Sequence, residues 1–373
     1  MKVSSIRILG IRGIPAAHGG FETFAEKLAV YLALRGWRVT VYCQEQGEGA
    51  VWHDVWQGVD RVHIPVSAPG PRGTIIFDWK ATLHAASSGE PCLTLGYNTA
   101  AFTLLLRLKG VPNLINMDGI EWSRAKWGRF AKCWFWLNER AGCWLGTHLI
   151  ADHPEIRAHL ETRVSDKKIT TIAYGADPVA EIDSSILERL GLSDVDFVTV
   201  VARPEPENSL LEIVEAFSRR DRFVKLVVLG NYDATVAYHR RVLGVASQEV
   251  MFVGAIYDKN VVETLRAASI LYVHGHQVGG TNPSLVESMA AGNAVIAHDN
   301  RFNRWVAGES ALYFRDSDEL CGLFDSVLTD KARLERMRSG SFARFESEFT
   351  WPRILGQYEK LVGRYVRGVS GPA

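Results

Sequence analysis

The segment Val278 to Gly292, VGGTNPSLVESMAAG, sets two glycines, a Thr-Asn-Pro turn and one glutamate, Glu287, where an apolar strand gives way to a helix. Gly279 and Gly280 let backbone amides approach a ligand, and Thr281 or Asn282 can cap the helix, with Pro283 in its first turn. Unpaired N–H groups and the helix dipole favour a phosphate at such a start. Glu287 lies one turn in, off the apolar stripe of Leu285, Val286, Met289 and Ala290, where it can face a ligand. A capped surface helix with a solvated glutamate fits the same residues.

Three further loops carry polar groups. VARPEPENSL puts Arg203 at a strand's carboxyl end, where a guanidinium can grip a diphosphate through two hydrogen bonds; a salt bridge to Glu205 or Glu207 is the alternative. NMDGIEWSRAKW offers Asp118 and Glu121, two carboxylates three residues apart that can bind sugar hydroxyls, act as a base or cap the next helix. GIRGIPAAHGGFETF contains Gly13, His18, Gly19 and Gly20 but no G-x-G-x-x-G, so a dehydrogenase is the weakest reading and a packing turn stays open. No metal site is expected: DVD at Asp194 to Asp196 precedes its strand, and HGH at His274 to His276 lacks a third ligand. His276 still falls within the phosphate-loop candidate.

Elements that would position these loops come in two series. Short β-branched runs near Ile6 to Leu9, Val39 to Cys43, Arg61 to Pro65, Pro91 to Leu95, Asn113 to Asn116 and His148 to Ala151 alternate with helix-period stretches. A second series follows AYGADP, from Phe197 to Val201 through Ala311 to Phe314. Strands too apolar for one-sided burial indicate parallel sheets covered on both faces. The expected fold is α/β, with two Rossmann-like, doubly wound domains facing across a cleft: residues 1–175 and 176–350, with a final helix at 351–368 packing back on the first. Ligands of such sheets sit beyond the strands' carboxyl ends, where the four loops lie.

At 373 residues and 47% hydrophobic, the chain is long enough for two cores. Forty-two basic residues balance 42 acidic ones, so nucleic acid is not an expected partner and an anion site must be local. Five scattered cysteines without a C-x-x-C pair fit reduced thiols and the cytosol. Arg7 and Arg12 interrupt any leader-like apolar run, and no stretch approaches the ~20 apolar residues of a membrane span.

RGIPAAHGGFETF, NMDGIEWSRAKWG, VARPEPENS and GGTNPSLVESMAAGNAVIAHDNRFNR together resemble the glycosyltransferases of family 4, retaining enzymes of GT-B fold, and most closely their bacterial rhamnosyltransferase-like branch. The resemblance spans nearly the whole chain. It implies that the second domain binds a nucleotide-sugar, dTDP-rhamnose on this branch, and the first a glycan or lipid-linked acceptor in cell-surface polysaccharide synthesis, with no metal cofactor. Arg203 matches the family's diphosphate-binding arginine, while its usual lysine partner is replaced near Asn208. Glu287 matches the second glutamate of E-x7-E, expected at the ribose, and Gly279 stands where the first would be, leaving donor contacts to the amides of Gly280, Thr281 and Asn282. Asp118 falls near the position of a reaction-centre histidine, and the loop of Gly13, His18, Gly19 and Gly20 would approach donor phosphate and acceptor. The rival readings are a nucleotide-sugar epimerase of this architecture and a non-catalytic two-lobed sugar- or nucleotide-binding protein.

Residues Trp122 to Trp144 hold five of the eleven tryptophans. On a helical projection Trp127, Phe130, Trp134, Leu137, Ala141 and Leu145 form one stripe, read as core. Trp136 falls on the other side among Arg129, Lys132 and Arg140, a basic aromatic face suited to anionic headgroups at the inner membrane surface; a solvated helix face is the alternative.

Overall fold

The computed structural model describes residues 4–17, 19–179 and 181–366; His18 of the first loop and residues 367–368 of the final helix lie outside them. The chain divides into two compact units, Met1–Tyr174 with Trp351–Ala373, and Gly175–Thr350.

Eight strands build the first unit's sheet: β1 (Ser5–Leu9), β2 (Arg38–Gln46), β3 (Trp52–Trp56), β4 (Val59–Val66), β5 (Cys92–Leu95), β6 (Asn113–Asn116), β7 (His148–Ala151) and β8 (Ile169–Thr171). Their order is β3-β4-β2-β1-β5-β6-β7-β8, so chain order reverses between β1 and β5. Alternate residues of one strand enter opposite layers. Ile6, Ile8, Val39 and Val41 pack beneath α1 (Gly20–Leu34), whereas Leu9, Tyr42, Val62 and Ile64 meet α2 (Gly70–Ser88). The last helix, Trp351–Val366, also joins the α1 layer: Tyr358 lies 4.5 Å from Phe24, ring centroid to centroid.

Two features differ from the sequence reading. β3 is an antiparallel edge strand paired with β4, so the sheet is mixed; its short WHDVW run is exposed and lacks the apolar continuity of a central strand. The second concerns α4 (Arg129–Leu145), which follows a short α3 (Leu104–Leu108). The stripe read as core faces outward: Phe130 is 95% and Leu137 54% exposed, while Asn138, Glu139, Gly142 and Cys143 are buried. Polar satisfaction overrides hydrophobicity here. Glu139 accepts from Trp122 Nε1 (2.6 Å) and pairs with Arg163 Nε (2.7 Å) and His159 Nε2 (3.0 Å). Asn138 Oδ1 caps the Ala101 N–H at 3.0 Å, and Gly142 lets Met117 sit against the helix.

The second unit carries six parallel strands, β9 (Phe197–Val201), β10 (Lys225–Leu229), β11 (Val250–Gly254), β12 (Leu271–His274), β13 (Ala294–His298) and β14 (Leu312–Phe314), in the order β11-β10-β9-β12-β13-β14. Strand numbers climb outward from β9 on one side and from β12 on the other. The gap between those two strands is therefore the topological switch point, where loops diverge and leave a crevice.

Candidate functional site

Loops from β9 and β12 meet at that switch point and are bonded to each other. Gln277 N donates to Glu207 O at 2.9 Å, and Ser209 Oγ, from a left-handed residue, donates to Gly275 O at 2.9 Å. Gly275 is required by this contact, since a Cβ would stand 2.1 Å from Asn208 O. Asn208 itself is buried, and its Nδ2 donates to Arg203 O at 2.8 Å, so its amide braces the loop. Arg203 is exposed on that brace, and its guanidinium makes no ion pair or hydrogen bond to any described residue, including Glu205 and Glu207.

Beyond His276 the chain passes Gly279, at φ 129°, a conformation that favours glycine, with open space around it. Gly280 and the buried Thr281 lead to Asn282, whose side chain accepts from Ser284 N at 3.0 Å and caps the Pro283–Ala290 helix. Asn282, rather than Thr281, is the cap. Two residues missed in the sequence hold this loop: Asn300 Nδ2 and Asn303 Nδ2 donate to His276 O at 3.0 and 2.8 Å. Asn300 caps the following helix and Asn303 is buried, so paired asparagines in DNRFN were the available signal. Glu287 is half-exposed and anchored by the buried Arg266, Nη1 to Oε2 2.6 Å. Arg266 was likewise not singled out, being far away in sequence. His274 is fully buried, and burial drives its pKa well below the usual histidine range, keeping the ring neutral beside the His276 ring stacked on it at 4.4 Å.

In the first unit, Asp118 follows β6 with φ 51°, its N–H held by Asn116 Oδ1 at 3.0 Å. Burial, then repulsion from Glu121, raises its carboxyl to about 6. Glu121 has both oxygens engaged within its loop, Oε1 to Arg124 at 2.8 Å and Oε2 to Trp127 Nε1 at 3.0 Å. It is therefore placed to tune and hold, and its oxygens are not offered to a substrate.

The β1–α1 loop keeps Gly13 against Cys43, while Gly19 precedes the first turn of α1 and Gly20 opens it. Gly13 also lines a polar cleft of about 480 Å³, with Arg12, Gln44, Glu45, His63 and Thr74 among its walls. Glu45 and Asp54 flank His63 at 2.6 and 3.0 Å, and Arg61 clamps Asp54 and the Ile14 carbonyl. Arg61 lowers the Asp54 carboxyl to about 2. Sequence reasoning passed over this cleft because its residues come from three separated segments. Among the described residues no three His, Cys, Asp or Glu side chains cluster as metal ligands would, and no helix is long and apolar enough to cross a membrane.

One unit built on a mostly parallel sheet with an antiparallel edge strand, and a second on a parallel sheet with a switch-point site, define the GT-B class. Solved structures agree in fold: sucrose-phosphate synthase from Thermosynechococcus elongatus (TM-score 0.78, 20% identity, 97% of this chain and 98% of that one) and Anabaena HepE in complex with UDP and glucose (0.75, 14%, 97% and 100%). More particularly, residues 186–343 match the family model glycosyl transferases group 1, and residues 3–177 match a domain of unknown function, DUF1972. A curated relative, the GDP-mannose-dependent monoacylated alpha-(1-6)-phosphatidylinositol monomannoside mannosyltransferase of Corynebacterium glutamicum, is 28% identical over 220 residues, 55% of this chain. The match spans about half that relative's length, 55%.

Proposed function

We propose that the protein is a retaining, metal-independent glycosyltransferase that moves a sugar, rhamnose from dTDP-rhamnose, onto a glycan or lipid-linked acceptor in cell-surface polysaccharide synthesis. One observation carries the reading: the unpaired Arg203 guanidinium and the Gly279–Asn282 helix start leave neighbouring strands at a switch point and are bonded into one loop pair. A cation and amide dipoles fixed in advance stabilise the charge of a departing diphosphate without reorganising. His276 and Thr281 line the same turn, and Glu287, held by Arg266, presents a carboxylate to the ribose hydroxyls. Asn208 acts by holding Arg203.

The first unit binds the acceptor. Its polar cleft, lined by amides, carboxylates and guanidinium groups, suits a ligand rich in hydroxyls. Asp118 is the reaction-centre carboxylate, tuned by Glu121, while the leaving diphosphate helps remove the acceptor proton. Gly13, Gly19 and Gly20 shape the loop toward the acceptor. The enzyme works in the cytoplasm at the inner face of the membrane, touching it through Arg129, Lys132, Trp136 and Arg140 of α4.

Turnover assays with dTDP-rhamnose separate the readings. Release of nucleoside diphosphate should rise many-fold on adding a lipid-linked or oligosaccharide acceptor. Acceptor-independent conversion of the donor would instead indicate an epimerase, and donor binding without turnover a binding protein.

A further inference from the structure

The outer faces of α2, α3 and α4 carry exposed apolar side chains, and contacts join these helices side by side on the first unit. Trp79 of α2 packs edge-on against Phe102, 5.2 Å between centroids, in the short helix Ala100–Thr103 that runs straight into α3. Arg107 of α3 donates to Trp144 O at the end of α4 (3.3 Å), and Trp134 Nε1 donates to Asn98 O (2.8 Å). Ile76, Trp79 and Leu83 follow one exposed face of α2. Leu108 is 73% exposed on α3, and Trp144 63% exposed on α4, where it extends the outward stripe of Phe130, Trp134 and Leu137. Exposed apolar side chains gathered on one face mark an interaction site.

Charge identifies the occupant. The charged residues on the outer faces of α3 and α4 are basic: Arg107, Arg129, Lys132 and Arg140, with Lys109 directly after α3. The one acid of α4, Glu139, is buried in its ion pairs. Arg140 covers the Trp136 ring at 3.4 Å, keeping an aromatic and a cation together at the rim. A second copy of the chain would set basic rim against basic rim. An anionic headgroup layer neutralises the rim and accepts aromatic side chains at its acyl boundary.

We propose that the α2–α3–α4 face docks the first unit on an anionic bilayer, with Leu108, Phe130, Leu137 and Trp144 entering the headgroup–acyl boundary and the basic rim contacting lipid phosphates. This deepens the membrane contact proposed above, rests on that part of the reading, and adds the residues that insert.

The test is co-sedimentation of the full chain with sucrose-loaded vesicles of phosphatidylcholine, with and without phosphatidylglycerol. Wild type should sediment with the anionic vesicles and several-fold less with phosphatidylcholine alone. Phe130→Ser, and Phe130→Ser with Leu137→Ser, should cut partitioning by about tenfold or more, as expected when buried aromatic and aliphatic area is lost. Both positions are exposed, so the melting temperature should hold. Leu34→Ser, at an 82% exposed leucine of α1, should sediment as wild type. Equal sedimentation of wild type and the Phe130 variants, or no wild-type binding, overturns the proposal. So does a wild-type dimer that the double variant makes monomeric. The turnover assay with dTDP-rhamnose reports on the donor site separately, so its failure leaves the vesicle result standing.

Discussion

Arg203 and Asp118 carry opposite electrostatic situations. Arg203 is exposed and its guanidinium has no partner among the described residues, so neutralising it should remove little stability and much donor affinity. Asp118 sits in a partly buried loop that holds its carboxyl at about 6, above the 3.8 of an unperturbed aspartate. A carboxyl raised in the folded state stabilises the fold when protonated, and that stability is lost as pH climbs from about 4 through 6. Asp118→Asn should therefore raise stability at pH 7.5, by on the order of 1–2 kcal/mol after screening. The gain should shrink to nothing below about pH 4, where Asp118 is protonated folded or unfolded. Thermal melts of both proteins across that range check the sign. The same substitution should lower the transfer rate by at least tenfold if Asp118 works at the reaction centre, measured as kcat with saturating donor.

At the scale of elements, the Pro283–Ala290 helix depends on its cap and its loop on two asparagines. Asn282→Ala should cost about 1 kcal/mol, read as a lower urea midpoint, because the Ser284 N–H loses its partner. Asn303→Ala should weaken donor affinity several-fold, read as a smaller ligand-induced rise in melting temperature, since it removes the 2.8 Å bond that holds the His276 carbonyl. Much of this was legible in the letters. The runs at Asn113–Asn116, His148–Ala151 and Phe197–Val201 have the bounds expected of them because each is a short stretch with an apolar centre between polar or turn residues. The cap was visible as Asn-Pro before an apolar stripe. What stayed hidden depends on contacts distant in sequence: the Arg266–Glu287 pair, the asparagines that hold the His276 loop, and the cleft around His63. The orientation of α4 was misread for a physical reason. A helix stripe of tryptophan, phenylalanine and leucine normally seeks the core, but here His159 and Arg163 supply partners that bury Glu139 instead.

For the whole molecule, the Trp351–Val366 helix is bonded to the loop that carries Asp118. Asn116 Nδ2 donates to Tyr358 Oη at 2.9 Å, and Asn116 Oδ1 accepts from Asp118 N at 3.0 Å. Tyr358→Phe should leave a buried amide without its acceptor and cost about 1–3 kcal/mol, seen in chemical denaturation. Each unit thus has its own core and its own set of switch-point loops, with donor chemistry proposed for one and acceptor chemistry for the other. The most direct test of the central claim is a thermal-shift panel of nucleotide-sugars on wild type and Arg203→Ala, since a ligand well above its Kd raises the melting temperature of the state that binds it. A rise with dTDP-rhamnose that Arg203→Ala abolishes is expected if Arg203 grips the diphosphate; a rise of equal size in the variant, or none with any nucleotide-sugar, would contradict that role.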